Sequence, residues 1–284
     1  MSIASHDFWS FIDGSLVINL DIRPDRWADF QVQISTLELP APLIRMSAVR
    51  GIDLAGFGQR PWFRNGKRSR NWAGRAGCAL SHRRAIEHAK NAGWRTVLIL
   101  EDDAILQNHF SEVTSSLKKI LDNQRLDWSV CYLGFTQPEG PSRQLADLGF
   151  GHSLHQVYGC YTTHAYLLRD TTYDWLLKQL PDERSVWSWI ARHRAIDRWF
   201  SRNLAKRFVV LALAPSIVGQ QISVSDITGR TANGDDVTAF YSKLPNRTSS
   251  DSAYRHASAV YALGLSLRSL GDWFRALAKR IFGF

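Results

Sequence analysis

Short apolar segments separated by helical segments constrain the fold of this chain more than any other feature. The clearest of them, Thr96–Leu100, is apolar after its first residue and ends in three consecutive acids. Strands that alternate with helices predict an α/β fold with a largely parallel sheet. The other predicted strands lie at residues 16–20, 45–53, 129–133, 158–168 and 208–214. The predicted helices lie at 27–37, 77–91, 111–121, 173–180 and 187–204, and 51–71 and 134–151 are predicted to be loops.

Length and composition predict one large domain, or two small halves that share a core, without disulfide bonds. The chain has 284 residues, of which 45% are hydrophobic, so a sizeable core can form. Three cysteines cannot make a disulfide framework, which favours a reducing compartment. The first residues lack the pattern of a signal peptide, and no apolar run is long enough to span a membrane. We therefore expect a cytoplasmic protein.

The charge of the chain predicts partners that are negatively charged. Lys and Arg number 35 against 26 Asp and Glu, which gives a net charge of +9. Nucleic acid, anionic lipid and the pyrophosphate of a sugar nucleotide all fit that sign. The basic residues are densest at Arg64–Arg70, at Arg192–Arg207 and near the C-terminus. No nucleic-acid-binding motif accompanies them, so nucleic acid is not among the expected partners.

The C-terminal segment is predicted to be a basic amphipathic helix. Its apolar residues recur at helical spacing, and Arg268, Arg275, Lys279 and Arg280 lie between them. Such a helix either packs on its own domain or binds an anionic membrane surface, and the terminal position and basic excess favour the membrane. The predicted organisation is a domain at 1–228, a polar linker or lid at 229–252 and an amphipathic helical tail at 253–284.

The acids Glu101, Asp102 and Asp103 directly follow the strand at 96–100. Adjacent carboxylates at the end of a buried strand repel one another unless a cation neutralises them. Because side chains alternate along an extended chain, Glu101 and Asp103 are expected to share a face and Asp102 to point away. The pair would suit Mn²⁺ or Mg²⁺, which prefer oxygen ligands. The alternatives are a solvated turn at the strand end and a cap of the next helix.

Three ordered motifs resemble those of glycosyltransferase family 25. They are VINLDIRPDR at 17–26, GCALSH at 77–82 and VLILEDD at 97–103. The resemblance covers about residues 15–230, and Ile22, Arg75 and Ala195 depart from the family pattern. The family comprises bacterial lipopolysaccharide galactosyltransferases and relatives that galactosylate hydroxylysine in collagen.

The resemblance implies a GT-A-like fold, with a mixed, mostly parallel sheet flanked by helices. It also implies an inverting transfer of a sugar, galactose on family grounds, from a UDP-sugar donor with Mn²⁺ or Mg²⁺ as cofactor. The expected acceptor is a bacterial surface glycan such as lipopolysaccharide or another lipid-linked glycan. That places the protein in the cytoplasm, peripheral on the inner face of the membrane. The alternative is a non-catalytic member of the same fold that binds a nucleotide or a glycan.

The resemblance assigns candidate roles to nine residues. Inversion needs a base on the acceptor hydroxyl and stabilisation of the departing diphosphate. Asp197 is the candidate base or acceptor-binding carboxylate, or else it forms an ion pair within its helix, for instance with Arg194 or Arg198. His82 is expected to bind the donor or to orient Asp103. The metal ligands are Glu101 and Asp103, and the donor-binding residues are Asn19, Arg23, Arg26, Ser81, His82 and Asp102.

Overall fold

A computed structural model of the chain describes residues 10–35, 43–63, 69–123, 126–221, 244 and 247–282. Its strands are β1 (Gly14–Asn19), β2 (Leu43–Ser47), β3 (Thr96–Glu101), β4 (Ala104–Leu106), β5 (Val130–Gly134), β6 (Gln137–Gly149), β7 (His152–Tyr161), β8 (Ala165–Arg169), β9 (Val210–Ala214) and β10 (Val218–Gln220). Its α-helices are α1 (Pro24–Ile34), α2 (Arg70–Asn91), α3 (Phe110–Asn123), α4 (Tyr173–Gln179), α5 (Val186–His193), α6 (Ile196–Asn203) and α7 (Asp251–Phe282).

Eight of these strands form one mixed sheet in the order β2-β1-β3-β8-β5-β9-β7-β6. The α/β prediction is confirmed. Strand β1 pairs in parallel with β2 and β3, and β5 pairs in parallel with β9, whereas the other four pairings are antiparallel. Strand β8 runs antiparallel between β3 and β5, so those two strands point the same way and their carboxyl ends reach one edge of the sheet. A small second sheet pairs β4 with β10 near that edge.

The sheet is covered by helices on both faces because its central strands are apolar on both faces. Along β3, Val97 and Ile99 face the core that contains α2, α4, α5 and α6. Leu98 and Leu100 face the other core, which contains α1 and α3. A strand buried on both sides reads as a continuous apolar run, which is why the sequence identified β3 so clearly.

Three predictions of secondary structure were wrong. Residues 134–151, predicted to be a loop, contain β6, which pairs with β7 as a bulged antiparallel hairpin. The strand predicted at 158–168 is two strands, separated at Thr162, where φ is 66°. The helix predicted at 187–204 is likewise divided, at Arg194, where φ is 71°. A positive φ interrupts a strand as well as a right-handed helix. Neither Thr nor Arg is a residue type from which a positive φ is predicted in sequence.

The C-terminal helix α7 packs along the domain, against α5 and β6. Its contacts include Tyr261 against Tyr158, with ring centroids 4.8 Å apart, and an Asp272–Arg202 ion pair of 3.0 Å. Most of the predicted linker at 229–252 lies outside the described residues. Among the described helices, none combines the length and apolar composition needed to cross a bilayer.

Candidate active site

The polar ends of β1 and β3 meet at one edge of the sheet. Strand β1 ends at Asn19 and its parallel neighbour β3 ends at Glu101, with Ile18 of β1 in register with Glu101. The backbone N–H of Asp102 donates to Ile18 O at 3.1 Å, which fixes the following turn against β1. Ligands bind beyond the carboxyl ends of strands in α/β sheets, so this edge is where a substrate site is expected.

A cavity of about 400 Å³ opens at this edge. We call it the acidic cavity because Glu101, Asp102 and Asp103 all line it. Strand geometry ends at Glu101, and Asp102 and Asp103 form a turn. The expectation that Asp102 would point away from the other two acids was therefore wrong. Other lining residues are Ile22, Arg26, Arg50, Ile52, Arg70, Cys78, Ser81, His82 and Gln220.

One wall of the cavity is held by a close approach between α2 and the loop after β2. A Cβ at Gly77 would lie 2.2 Å from Val49 O, and a Cβ at Gly51 would lie 1.7 Å from Ala73 O. The Ser81 hydroxyl accepts from Val49 N at 2.8 Å and donates to Gly77 O at 2.7 Å. Ser81 was predicted to bind the donor, but both of these bonds hold its hydroxyl group within the wall of the cavity.

Asp102 is held by two donors from the first motif. Asn19 Nδ2 donates to Asp102 Oδ2 at 2.6 Å, and Arg26 Nη1 donates to Oδ1 at 3.1 Å. The Asn19 amide also donates to Arg23 O and accepts from Arg45 Nε at 2.7 Å. Burial raises the pKa of Asp102, and the bonds from Asn19 and Arg26 oppose that rise. Asn19, 1% exposed and with both amide hydrogens engaged, positions Asp102.

Glu101 is held by the second motif and by the turn before β8. His82 Nε2 lies 3.3 Å from Glu101 Oε1, and the Thr163 hydroxyl donates to that oxygen at 3.0 Å. His82 Nδ1 lies 3.0 Å from Tyr166 Oη, which fixes the imidazole ring. Burial raises the pKa of Glu101, but the hydrogen bonds and charges around it outweigh burial and lower it. The structure therefore has His82 orienting Glu101 and not, as expected, Asp103.

Asp103 is the least satisfied acid of the three. Its Oδ1 is buried and has no hydrogen-bond partner among the described residues. Arg26 Nη1 lies 3.8 Å from Oδ2, and the Gln220 side chain also bonds the carboxyl group. Burial, together with the negative charge of Glu101, raises the pKa of Asp103 to about 7. A buried carboxylate oxygen with no donor, under the negative charge of a second carboxylate, is a suitable ligand for a cation.

Glu101 and Asp103 could hold a divalent cation through oxygen ligands. A cation would satisfy Asp103 Oδ1 and remove the repulsion between the two acids. Cys78, which the sequence analysis did not select, offers a further donor: its Sγ and the ligand atoms of His82 and Glu101 lie within 4.8 Å of one another. A thiol beside an imidazole suits Zn²⁺, whereas oxygen ligands suit Mn²⁺ or Mg²⁺.

Asp197 and Arg23 lie outside the lining of the cavity. The Asp197 carboxylate accepts from the backbone N–H of Thr162 at 3.3 Å and of Arg198 at 2.7 Å. The next residue, Thr163, donates to Glu101, so Asp197 and Glu101 are bonded to two consecutive residues of the chain. Arg23 pairs with the exposed carboxylate of Asp25, with Nη2 to Oδ2 at 2.8 Å. Arg26, in contrast, is buried within the cavity wall, 8% exposed.

Comparison with known families matches residues 12–134 to the model described as glycosyltransferase family 25 (LPS biosynthesis protein). The predicted resemblance to the family is confirmed over this region. The family-25 region contains β1, α2 and β3, and with them Asn19, His82 and all three acids of the cavity. Asp197, the candidate base, lies beyond it.

Two curated relatives of the chain are mammalian members of family 25. The chain is 29% identical over 167 residues to a human protein named inactive glycosyltransferase 25 family member 3, which covers 55% of this chain and 27% of the human one. It is 29% identical over 166 residues to the bovine protein named probable inactive glycosyltransferase 25 family member 3, with the same coverage. The chain thus spans about a quarter of the length of these relatives.

Solved structures resemble the chain only loosely. A197 from STIV superposes with a TM-score of 0.35 at 11% identity and covers 77% of this chain and 92% of its own. UDP-glucose pyrophosphorylase complexed with UDP-glucose gives a TM-score of 0.35 at 9% identity, with coverage of 91% and 85%. Superpositions this loose carry no functional conclusion.

Proposed function

We propose that this protein is a metal-dependent, inverting glycosyltransferase that transfers a sugar from a UDP-sugar to a bacterial surface glycan such as lipopolysaccharide. Galactose is the proposed sugar, on family grounds. The observation that carries the proposal is the acidic cavity, where Glu101 and Asp103 of the third motif both lie in the lining and Asp103 Oδ1 is buried without a partner among the described residues. A site of this kind suits a cation that holds a diphosphate.

In this proposal Glu101 and Asp103 hold Mn²⁺ or Mg²⁺, which when bound supplies Lewis-acid stabilisation of the departing diphosphate. His82 and Thr163 keep Glu101 in place, and Asn19 keeps Asp102 in place. Arg26 balances part of the negative charge at the rear of the cavity. The first two motifs therefore act mainly by positioning the acids of the third.

Asp197 is the proposed base on the acceptor hydroxyl. Its carboxylate is half-buried at the start of α6, and backbone N–H groups orient it. A base acts only within hydrogen-bond reach of the acceptor hydroxyl, so the acceptor must approach from the side of the cavity where Thr162 and Thr163 lie. Asp197→Asn would then abolish transfer while leaving UDP binding unchanged, and equal loss of both would contradict the assignment.

The experiment that tests the proposal is a calorimetric titration of UDP and UDP-galactose in the presence of Mn²⁺ and again with EDTA. Binding that needs Mn²⁺ supports the donor site. A parallel titration with Zn²⁺ tests Cys78, because Cys78→Ser would weaken Zn²⁺ binding without affecting Mn²⁺. No binding of any uridine nucleotide under either condition would exclude the proposed donor.

A second candidate is a non-catalytic member of the family that binds a nucleotide or a glycan. The names of the two mammalian relatives, which describe those proteins as inactive or probably inactive, favour it. A non-catalytic member that binds a nucleotide would bind UDP as the enzyme does, and would differ from it only in turnover, whereas one that binds a glycan would not bind UDP. Release of UDP from UDP-galactose, measured with and without Mn²⁺, separates them: metal-dependent release supports the enzyme, and tight binding without release supports the binding protein.

We further propose that α7 attaches the protein to the inner face of the cytoplasmic membrane. An apolar stripe of residues Val260, Leu263, Leu267, Leu270, Phe274 and Ile281 is 57–73% exposed. At 100° per residue, this stripe lies roughly opposite Leu265, which is buried against the domain. Arg268 and Arg280 are exposed on opposite flanks of α7, between the stripe and the side that carries Leu265, and their long side chains would reach anionic headgroups.

Flotation with vesicles of phosphatidylglycerol tests this attachment. Leu267→Glu would remove the protein from the vesicles, because a carboxylate would then enter the apolar layer. Ser266→Glu, one residue away on the same helix, adds the same charge outside the stripe and would weaken binding only slightly. Equal binding by wild type and Leu267→Glu would exclude the membrane, and a dimer–monomer change in sedimentation would show that the stripe binds a second copy instead.

A further inference from the structure

Six basic side chains meet where α2, α6 and α7 come together. We call them the basic cluster: Arg75, Arg194, Arg198, Arg202, Arg275 and Lys279. Five are half-buried and Arg194 is exposed. They come from the start of α2, from the α5–α6 junction and α6, and from the last turns of α7. Two of the three basic groups seen in the sequence, at 192–207 and near the C-terminus, are brought by the fold to one place beside α2.

The carboxylates in this cluster do not balance its charge. Asp272 pairs with Arg202, at 3.0 Å, and with Arg275. Within the described residues, Arg75, Arg194 and Arg198 have no ion pair within 4 Å. Burial and the neighbouring cations lower the pKa of Arg75 and of Arg194. Among the described residues, three carboxylates lie near the cluster: Asp272, Asp197 and Glu139, which accepts from Ser201 and Tyr161. None of the three forms an ion pair with Arg75, Arg194 or Arg198, so these guanidinium groups leave positive charge near Asp197.

Aromatic and backbone features hold these cations in place. The Lys279 Nζ lies 4.4 Å from the centroid of the Trp72 ring, and the Arg198 guanidinium lies 5.6 Å from that of Tyr161. Arg194 has a φ of 71°, which orders its backbone at the junction of α5 and α6 at an energetic cost. Fixed, partly desolvated guanidinium groups are typical of sites that bind phosphate.

The cluster borders the acidic cavity on the side of the proposed base. Arg75 is on α2, one turn before Cys78, and its charge interacts with that of Asp197. Asp197 also acts electrostatically on Cys78, which lines the cavity. A ligand held by the cluster would therefore lie next to Asp197, on the opposite side from α1 and the Asn19–Asp102 contact.

We propose that the basic cluster binds a phosphate group on the acceptor glycan and so presents an acceptor hydroxyl to Asp197. The proposal rests on the proposed transfer function. It adds the class of acceptor, a phosphorylated saccharide, and assigns Arg75, Arg194 and Arg198 as its phosphate-binding residues. No covalent step is involved: the contacts are charge-assisted hydrogen bonds from guanidinium groups to phosphate oxygens.

The test is a calorimetric titration of the full chain with glucose 6-phosphate, glucose and inorganic phosphate, first alone and then with saturating UDP and Mn²⁺. Glucose 6-phosphate is expected to bind and glucose is not, and UDP should not displace it. Arg75→Gln and Arg198→Gln should each weaken the binding about tenfold. Arg84→Gln is the matched control, since Arg84 is on the same helix but exposed and pairs with Glu183.

The outcomes separate this inference from the proposed function. Displacement by UDP, equal binding by Arg75→Gln, or equal affinity for inorganic phosphate would overturn the acceptor site while leaving the UDP result intact. Failure of UDP to bind, with glucose 6-phosphate still lost in Arg75→Gln, would overturn the donor proposal and leave the phosphate site standing. Asp103→Asn completes the design, because it should reduce UDP binding without changing that of glucose 6-phosphate.

Discussion

The acidic cavity and the basic cluster both concentrate one sign of charge, but they do so in different ways. In the cavity, Asp102 and Glu101 each have donors from the chain, and the deficit is confined to one buried oxygen of Asp103. In the cluster, the excess is spread over six long side chains at the meeting point of three helices. A single unsatisfied oxygen suits a compact cation, whereas several spread guanidinium groups suit a larger anion. We therefore propose a cation as the ligand of the acidic cavity and an anion as the ligand of the basic cluster.

The largest expected effect is that of Asp103→Asn on the cavity. It should weaken Mn²⁺-dependent UDP binding by more than about a hundredfold, because a carboxylate ligand is lost. The same change should raise the melting temperature of the metal-free protein, since it removes a buried, repelled charge. Calorimetry and thermal unfolding measure the two effects. The control is Asp174→Asn, because Asp174 is an exposed acid paired with Lys90. It should have neither effect, and an equal effect there would contradict a special role of Asp103.

Asn19→Leu should cause a smaller loss of Mn²⁺ affinity in the acidic cavity. Without its amide, Asp102 Oδ2 loses its donor, and Mn²⁺ affinity should fall about tenfold even when UDP is absent. Electron paramagnetic resonance of free Mn²⁺ measures this directly. A loss that appears only with UDP present would mean that Asn19 contacts the donor itself, as the sequence analysis expected.

Arg194→Gly should stabilise the basic cluster. It removes one of the repelling charges and the cost of a positive φ, and should raise the free energy of unfolding by about 1 kcal/mol. Arg192→Gly, inside α5, is the matched control and should lower it by about the same amount. Chemical denaturation measures both. If Arg194→Gly instead lowers the free energy of unfolding, the charge of Arg194 is not repelled overall within the cluster.

The smallest expected effect is a change in the pH dependence of stability caused by Lys279. Burial, with the charges of Arg275, Arg194 and Arg75, lowers the pKa of Lys279 to about 8, from 10.5. Between these values the folded chain has lost a proton that the unfolded chain keeps, so this residue makes the protein more stable as pH rises from 8 to 10. Lys279→Met should remove that increment from the melting curve. A bound phosphate should raise the pKa of Lys279 and so reduce this gain in stability between pH 8 and 10.

The sequence predicted the acidic cavity better than it predicted the cluster. Asn19, Glu101 and Asp102 are placed by parallel strands whose apolar runs are unmistakable, so their meeting at one edge followed from the strand pattern. His82 was selected from the second motif, but its partner was misjudged because the turn at Asp102 ends the strand alternation. Cys78 was in the same motif and was overlooked, although it shares a helical face with His82 and Ser81.

The basic cluster was out of reach of the sequence because its members are far apart along the chain. Arg75, Arg198 and Lys279 are joined only by tertiary packing, and the break at Arg194 was read as continuous helix. The C-terminal helix was predicted correctly, but two of the basic residues assigned to membrane contact, Arg275 and Lys279, face the domain instead. Periodicity gives the faces of a helix and does not say which face is covered.

Gly51 and Gly77 allow α2 and the loop after β2 to approach closely because neither residue has a side chain, and this approach sets the width of the acidic cavity. Because backbone oxygens lie where their side chains would be, enlarging either residue would push α2 away from the loop after β2. Directed evolution toward other donor sugars should therefore leave both glycines alone and vary the lining side chains Ile22, Ile52 and Gln220. The glycine pair fixes the spacing of the backbone in this wall, so substrate range would have to change through side chains and not through these two positions.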